Sequence, residues 1–284
     1  MEDSEFSRER LWSVAYRILG SVADADDAVQ ETWLRWQQVD QDAVHSPRAY
    51  LTTMVSRICY DTLTSAQARR EAYVGQWLPE PVVDEPGPEE RATLDESVSL
   101  ALLAVLERLS PAERTAFVLH DVFQVPFGEI AEIVGRSESA VRQQASRARR
   151  RVREYGPRHT PDRASHVRAI EAFAAAATTG DLPALVAVLD PDVVWRADGG
   201  GVVTAALHPV TGQERVAGLV LGLVERWYAR MSAVFRDVNG APGIVLLDGE
   251  GAVDSVFAFT VADGRITEVG VVRNPGKLRH VAVT

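Results

Sequence analysis

Cysteine occurs once in the 284 residues, at Cys59. No intrachain disulfide can form, so a reducing compartment, or indifference to one, is expected. Long apolar runs are also missing. The longest, Val216–Val224, is far short of the roughly 20 residues that cross a bilayer. The first ten residues, MEDSEFSRER, are polar and charged, so no signal peptide is expected. A cytoplasmic protein without a membrane partner is the expectation, and nothing in the pattern calls for a metal or other cofactor. Basic residues are outnumbered, 30 Lys and Arg against 40 Asp and Glu, a net charge of −10. That balance disfavours binding of nucleic acid by the chain as a whole.

The charge is not evenly spread, however. Eight arginines face two acids between Arg136 and Arg158, whereas seven acids face one base between Leu78 and Val98. When the signs segregate in this way, the local patch decides what binds.

Three textures follow one another along the chain. Residues 6–74 read as helical, with Phe6, Trp12, Ala15, Tyr16 and Leu19 at helical spacing. Gly20-Ser21 stops that helix. The next begins with Asp24, Asp26 and Asp27, where the helix dipole favours acids, and its apolar stripe is predicted as Ala28, Thr32 and Leu34–Trp36. Ser46-Pro47 opens a third helix by capping. Residues 75–97 hold four prolines in WLPEPVVDEPGPEE and read as a linker that supports neither a helix nor a core. Helices resume over 98–155. Residues 164–284 turn to one or two helices, a helix near Gln213–Met231, and strand-like runs at Gly243–Leu247, Ala252–Val261 and Arg265–Val272 separated by Asp-Gly turns. A curved antiparallel sheet in an α+β domain is predicted.

The strongest local pattern lies in 110–153. Ser110-Pro111-Ala112-Glu113 is a capping box. A short helix with Ile130, Ala131 and Val134 follows, then Gly135 at a turn that needs positive φ. Ser137 caps a third helix with the small stripe Val141, Ala145, Ala148 and Val152. Its other face carries Ser139, Arg142, Gln143, Ser146 and Arg147, side chains suited to base edges in the major groove. Arg149, Arg150, Arg151 and Arg153 suit phosphates. A short helix, a turn and a capped basic helix at this spacing make a helix-turn-helix.

With these residues in view, the chain resembles an extracytoplasmic-function (ECF) sigma factor of bacterial RNA polymerase, of the subgroup with a C-terminal SnoaL-like domain. LSPAERTAFVLHDVFQVPFGEIAEIVGRSESAVRQQASRARRRV resembles region 4, which reads the minus-thirty-five element. ILGSVADADDAVQETWLRW and SPRAYLTTMVSRICYDTLTSAQARR resemble the parts of region 2 that dock on polymerase and hold the minus-ten element. Trp77-Leu78-Pro79-Glu80-Pro81 is similar to the subgroup's linker signature. Asp198-Gly199-Gly200-Gly201 and Asn274-Pro275-Gly276-Lys277-Leu278 are similar to two motifs of its last domain, with Val202 where a lysine is usual and Gly276 where an acid is usual.

The resemblance implies a region-2 helical bundle at 1–74, a linker at 75–97, a region-4 domain at 98–155 and a SnoaL-like cone at 164–284. It implies core RNA polymerase, through its clamp coiled coil, and promoter DNA as partners, and no enzyme. By the same token Asp24, Asp27, Gln30, Glu31 and Trp33 would dock on polymerase. Arg57, Asp61, Arg69 and Arg70, with the Val39–His45 loop, would hold the minus-ten element. Ser139, Arg142, Gln143, Ser146, Arg147, Arg149 and Arg150 would hold the minus-thirty-five element. Trp77, Pro79, Glu80, Pro81, Asp198, Gly199, Gly200, Asn274, Pro275 and Lys277 would make regulatory contacts in cis.

Two other readings stay open on the sequence. One is a simple helix-turn-helix regulator that binds a palindrome as a dimer. The other is a cyclase-type enzyme, for which Asp198, His208, Asp254 and Arg273 are the candidates, though no two form a recognisable pair. A small-molecule ligand in the last domain is a further candidate partner. Trp195, Trp227, Phe257 and Phe259 could line its pocket, while Tyr50 and Tyr60 could stack on an unpaired base but read more readily as core.

Overall fold

The computed structural model describes residues 2–71, 73–84, 99–156 and 162–283, without the side chains of 2–7, 66–71 and 155. The side chains of Arg69 and Arg70 and the acidic stretch 85–98 therefore lie outside the described residues. The chain forms two units. One joins 1–72 to 105–155, and the other joins 73–104 to 156–284.

In the first unit, α1 (Glu2–Leu19) ends at Gly20, whose φ of +71° a side chain would strain. Ser21 then caps α2 (Val22–Trp36) by accepting from the Asp24 amide at 3.1 Å. Ala25, Ala28, Val29, Thr32 and Trp36 are buried, but Leu34 is 54% exposed. Its predicted place in the apolar stripe fails for a geometric reason. Leu34 lies two residues, about 200° of helix, from both Thr32 and Trp36. Tyr50, expected in the core, is exposed and leans on Trp36 with ring centroids 5.6 Å apart. It stands near the start of α3 (Pro47–Glu71).

The capping box opens α5 (Pro111–Phe117) as expected, and a π-helical turn at Val118–Val122 continues it. α6 (Phe127–Val134) ends in Gly135 at φ +64°. α7 (Glu138–Tyr155) follows, with the Ala140 amide donating to Ser137 Oγ at 3.3 Å. α3 packs on both α5 and α6. Arg114 of α5 donates to the Arg17 carbonyl of α1 at 3.1 Å and pairs with Glu107, and Arg10 and Arg17 lie over the Phe123 ring. The two helical segments thus share one packed body.

The second unit is a seven-stranded sheet in the order β1-β4-β5-β6-β7-β2-β3. Its strands are β1 (Val83–Asp84), β2 (Leu189–Asp198), β3 (Val210–Thr211), β4 (Ser232–Val238), β5 (Ala241–Leu247), β6 (Val253–Ala262) and β7 (Arg265–Val272). All neighbours are antiparallel except β2 and β7. The predicted all-antiparallel sheet is corrected at that pair. β2 and β7 are the first and last long strands, and strand direction at such separation leaves no mark on local alternation.

Helices α8 (Arg163–Thr179), α9 (Leu182–Val188) and α10 (Gln213–Arg226) cover one face over Ile170, Phe173, Leu185, Trp195, Val220, Phe257 and Phe259. The other face holds Val238, Val245, Val256, Val272 and Leu278, joined by Leu78 and by Leu100 of α4 (Leu100–Leu106). Burial on both faces explains the unbroken apolar run of β5. This is the α+β, SnoaL-like architecture expected. The stretch read as a coreless linker departs from expectation. Leu78, Pro79 and Pro81 are buried, and Val83 pairs with Val238 at the sheet edge. Proline excludes a helix but is tolerated in extended edge segments, which is the role this stretch takes.

Candidate functional sites

The basic helix presents the face predicted for it. Val141, Ala145 and Ala148 are fully buried, which turns Ser139, Arg142, Gln143, Ser146, Arg147 and Arg150 into solvent. Arg142 pairs with Glu138 and lies 4.6 Å over the Phe127 ring, so its guanidinium is held at the N-terminal end of the face. Arg149 and Arg151 behave differently. Arg149 is bound to Asp121 at 2.6 Å, and Arg151 to Glu113 at 3.2 Å and the Arg108 carbonyl at 3.1 Å. Both brace the helix on its own domain and are partly neutralised.

A second constellation lies in the other unit, around Asp198 at the end of β2. This carboxylate is completely buried. Oδ1 accepts from the Tyr73 hydroxyl and from the Gly200 amide at 3.0 Å. Oδ2 accepts from the Leu78 amide and from Lys277 Nζ, each at 2.8 Å. Four donors thus fill the four lone-pair sites of a carboxylate. Lys277, itself 4% exposed, also donates to the Leu78 carbonyl and sits 3.2 Å from the centre of the Trp77 ring. A desolvated cation on an indole face contributes about 2 kcal/mol. Asn274 donates to the Tyr73 hydroxyl at 2.8 Å, and its amide donates to the Asp198 carbonyl at 2.9 Å.

The glycine motif has a steric cause. A Cβ on Gly200, at φ +64°, would meet the Asn274 side chain at 2.3 Å, and one on Gly199 would meet the Val203 carbonyl at the same distance. Burial and the bond to Asp198 push the Tyr73 hydroxyl pKa up, so it remains a donor. Two further bonds fasten the stretch. Gln76 donates to the Ala206 carbonyl at 2.8 Å, and the His280 ring meets the Pro81 carbonyl at 2.8 Å. Tyr73–Pro81 is therefore clamped to the domain by both of its predicted motifs.

Models of known families match both helical segments, "Sigma-70 region 2" over residues 7–69 and "Sigma-70, region 4" over residues 99–152. The ECF RNA polymerase sigma factor SigJ of Mycobacterium tuberculosis is 44% identical, over 98% of this chain and 93% of its own. This chain belongs to the ECF sigma factors. A probable ECF sigma factor of the same species, SigI, is 35% identical over 95% of this chain and 92% of its own. The crystal structure of SigJ superposes with a TM-score of 0.82 at 38% identity, covering 100% of this chain and 99% of that one. Region 2 and region 4 of this sigma factor bind RNA polymerase and promoter DNA, and the SnoaL-like domain follows them. No helix among the described residues is long and apolar enough to cross a membrane.

Within region 2 of the sigma factor, Asp27, Gln30 and Glu31 stand exposed on α2, Asp24 and Trp33 are half-buried, and Glu31 pairs with Arg35. Arg57 and Asp61 are exposed one turn apart on α3, and the Val39–His45 loop is open to solvent apart from half-buried Val39 and Val44. Three of the four catalytic candidates come together, since Arg273 pairs with Asp254 and its amide donates to the Asp198 carbonyl at 2.8 Å, but each is already engaged. Asp198 is consumed by the clamp, His208 is an exposed loop residue, and Asp254 is paired with Arg273 at 3.0 Å. Of the aromatics, Trp195 and Phe257 line a cavity, Phe259 is in the core and Trp227 is 52% exposed. Sequence reasoning missed Tyr73, Gln76, Leu78 and His280. Leu78 acts through its backbone amide and carbonyl, and a backbone group carries no sequence signal.

Proposed function

We propose that this sigma factor is held in a closed state in cis by its SnoaL-like domain, which clamps the segment between the two promoter-binding regions. The fully buried Asp198, bonded to Tyr73, Leu78 and Lys277 together, is the observation that carries the reading. The minus-ten and minus-thirty-five elements are about 25 base pairs apart, roughly 85 Å of B-DNA at about 3.4 Å per pair. Regions 2 and 4 here pack against one another through α3, α5 and α6. One packed body cannot reach both elements, so promoter engagement requires the regions to part. Residues 73–84 and 99–104, which flank the segment between the two regions, both belong to the SnoaL-like unit. Clamping restricts the parting, and release permits it.

In the open state, Ser139, Arg142, Gln143, Ser146 and Arg147 read the minus-thirty-five element, with Arg150 and Arg149 on phosphates. Arg57, Asp61, Arg69 and Arg70 hold the minus-ten strand. The α2 face from Asp24 to Trp33, with Asp27, Gln30 and Glu31, docks on the polymerase clamp. The test is transcription in vitro with core polymerase. Lys277→Met raises transcript yield several-fold, and the milder Tyr73→Phe raises it less. Yields equal to wild type in both would refute the clamp, and loss of transcription in both would make the clamped form the active one.

A further inference from the structure

Arg142 of the basic helix is held from two sides. It keeps 60% of its side chain in solvent, yet Glu138 accepts from its Nη2 and, at 3.2 Å, from its Nε. Its guanidinium also lies 4.6 Å from the centre of the Phe127 ring, at the start of α6. A long exposed side chain ordinarily samples many rotamers. Here one edge and one face of the guanidinium are already occupied.

Phe127 is itself held. The His120 ring stacks on it, with centroids 3.7 Å apart and planes 25° from parallel. His120 stands at the middle of the π-helical turn Val118–Val122, and its Nδ1 lies 3.0 Å from the Val125 carbonyl. A carbonyl only accepts, so Nδ1 is the donor and the ring is fixed in orientation. Single π-helical turns are rare and occur often at functional sites. From the Val125 carbonyl through His120 and Phe127 to Arg142, each group orders the next, and all lie within one unit.

The arrangement leaves one end of the guanidinium open. Glu138 takes the Nε–H and one N–H of Nη2, which form one edge. The N–H groups of Nη1 and the other of Nη2 remain, side by side at the tip. Two parallel donors match the O6 and N7 acceptors of guanine in the major groove, whereas adenine offers an acceptor beside a donor. An arginine ordered before it binds loses less freedom in binding, and a fixed tip rejects a base that a mobile one accommodates. We infer that Phe127, backed by His120, is a positioning residue for recognition of a guanine in the minus-thirty-five element, acting through Arg142; this rests on the reading of the α7 face proposed above, and not on the clamp.

The probe is a library of promoter fragments randomised over the minus-thirty-five element, bound by core polymerase with the full chain, the bound DNA being sequenced. Wild type enriches guanine at one position, and Arg142→Ala abolishes that preference. Phe127→Leu, which keeps an apolar side chain of similar bulk without the aromatic face, lowers it about tenfold. His120→Leu lowers it less, and Phe127→Tyr, which restores the ring, retains it. Preferences at the other positions stay as in wild type throughout. A guanine preference that Arg142→Ala removes and Phe127→Leu leaves intact would overturn the positioning role. So would a Phe127→Leu loss spread evenly over every position, which a merely structural residue would give. A preference that survives Arg142→Ala would refute the reading of Arg142 itself, and the role of Phe127 with it.

Discussion

The arginines of α7 and the Asp198–Lys277 pair put charge to opposite uses. Arg142 and Glu138 keep about half of their side-chain surface in water, whereas Lys277 and Asp198 are 5% and 0% exposed. Exposed pairs contribute about 0–1 kcal/mol to a fold, so the α7 face is cheap to leave unpaired and free for a partner. A buried pair is different. Losing one partner strands the other without hydration, at about 3–5 kcal/mol. Exposed charge is therefore available for recognition, while buried charge fixes geometry. Arg149 and Arg151 fall between the two, half-exposed and tied to Asp121 and Glu113.

The contrast can be broken by substitution, beginning with the buried side. Lys277→Met lowers the stability of the SnoaL-like unit by about 3–5 kcal/mol in denaturant titration, while Arg142→Ala shifts overall stability by less than about 1 kcal/mol. On the exposed side, Arg147→Ala weakens binding to minus-thirty-five DNA by about 1–3 kcal/mol and relaxes specificity, with the melting temperature unmoved. Arg150→Ala weakens binding evenly across sequences and lowers the salt slope by about 1. Arg149→Ala changes the slope less than that, because Asp121 already neutralises it.

Smaller effects sharpen the same division. Gly135→Ala costs about 1–2 kcal/mol through its φ of +64° alone, since nothing lies within 4 Å of the added methyl. His166 supplies a test by pH. It is buried, and burial together with nearby Arg163 pulls its pKa below the ordinary histidine value. The unfolded chain then takes up a proton that the folded chain refuses. Stability is full above about pH 6.5 and falls as pH drops toward the folded-state pKa. His166→Gln flattens that slope, as midpoints of urea unfolding at successive pH values would register.

What could be read from sequence divides along the same line. The α7 face was legible because burial every three or four residues leaves a periodic trace. The capping box and Gly135 were legible because one residue type satisfies each local demand. The clamp was only half legible. Asp198, Asn274 and Lys277 stood out through resemblance, but their partners did not. Asp198 meets the Leu78 amide across 120 residues, and pairing at such range leaves no local pattern. β2 was missed because it opens on Leu-Asp-Pro-Asp, a turn-like start. β4 was missed because its exposed positions make it read as polar. Leu34 misled through hydrophobicity without regard to its angle on the helix.

Closure of regions 2 and 4 under the clamp is tested most directly by distance. Fluorescent labels at two exposed positions, Leu34 in region 2 and Glu154 in region 4, report the separation by energy transfer in the full chain. The free wild-type protein should give one short-distance population. Lys277→Met, and wild type bound to core polymerase, should both move it to long distance. A Lys277→Met protein that stays at the short distance while polymerase still opens the wild type would contradict the clamp as the restraint.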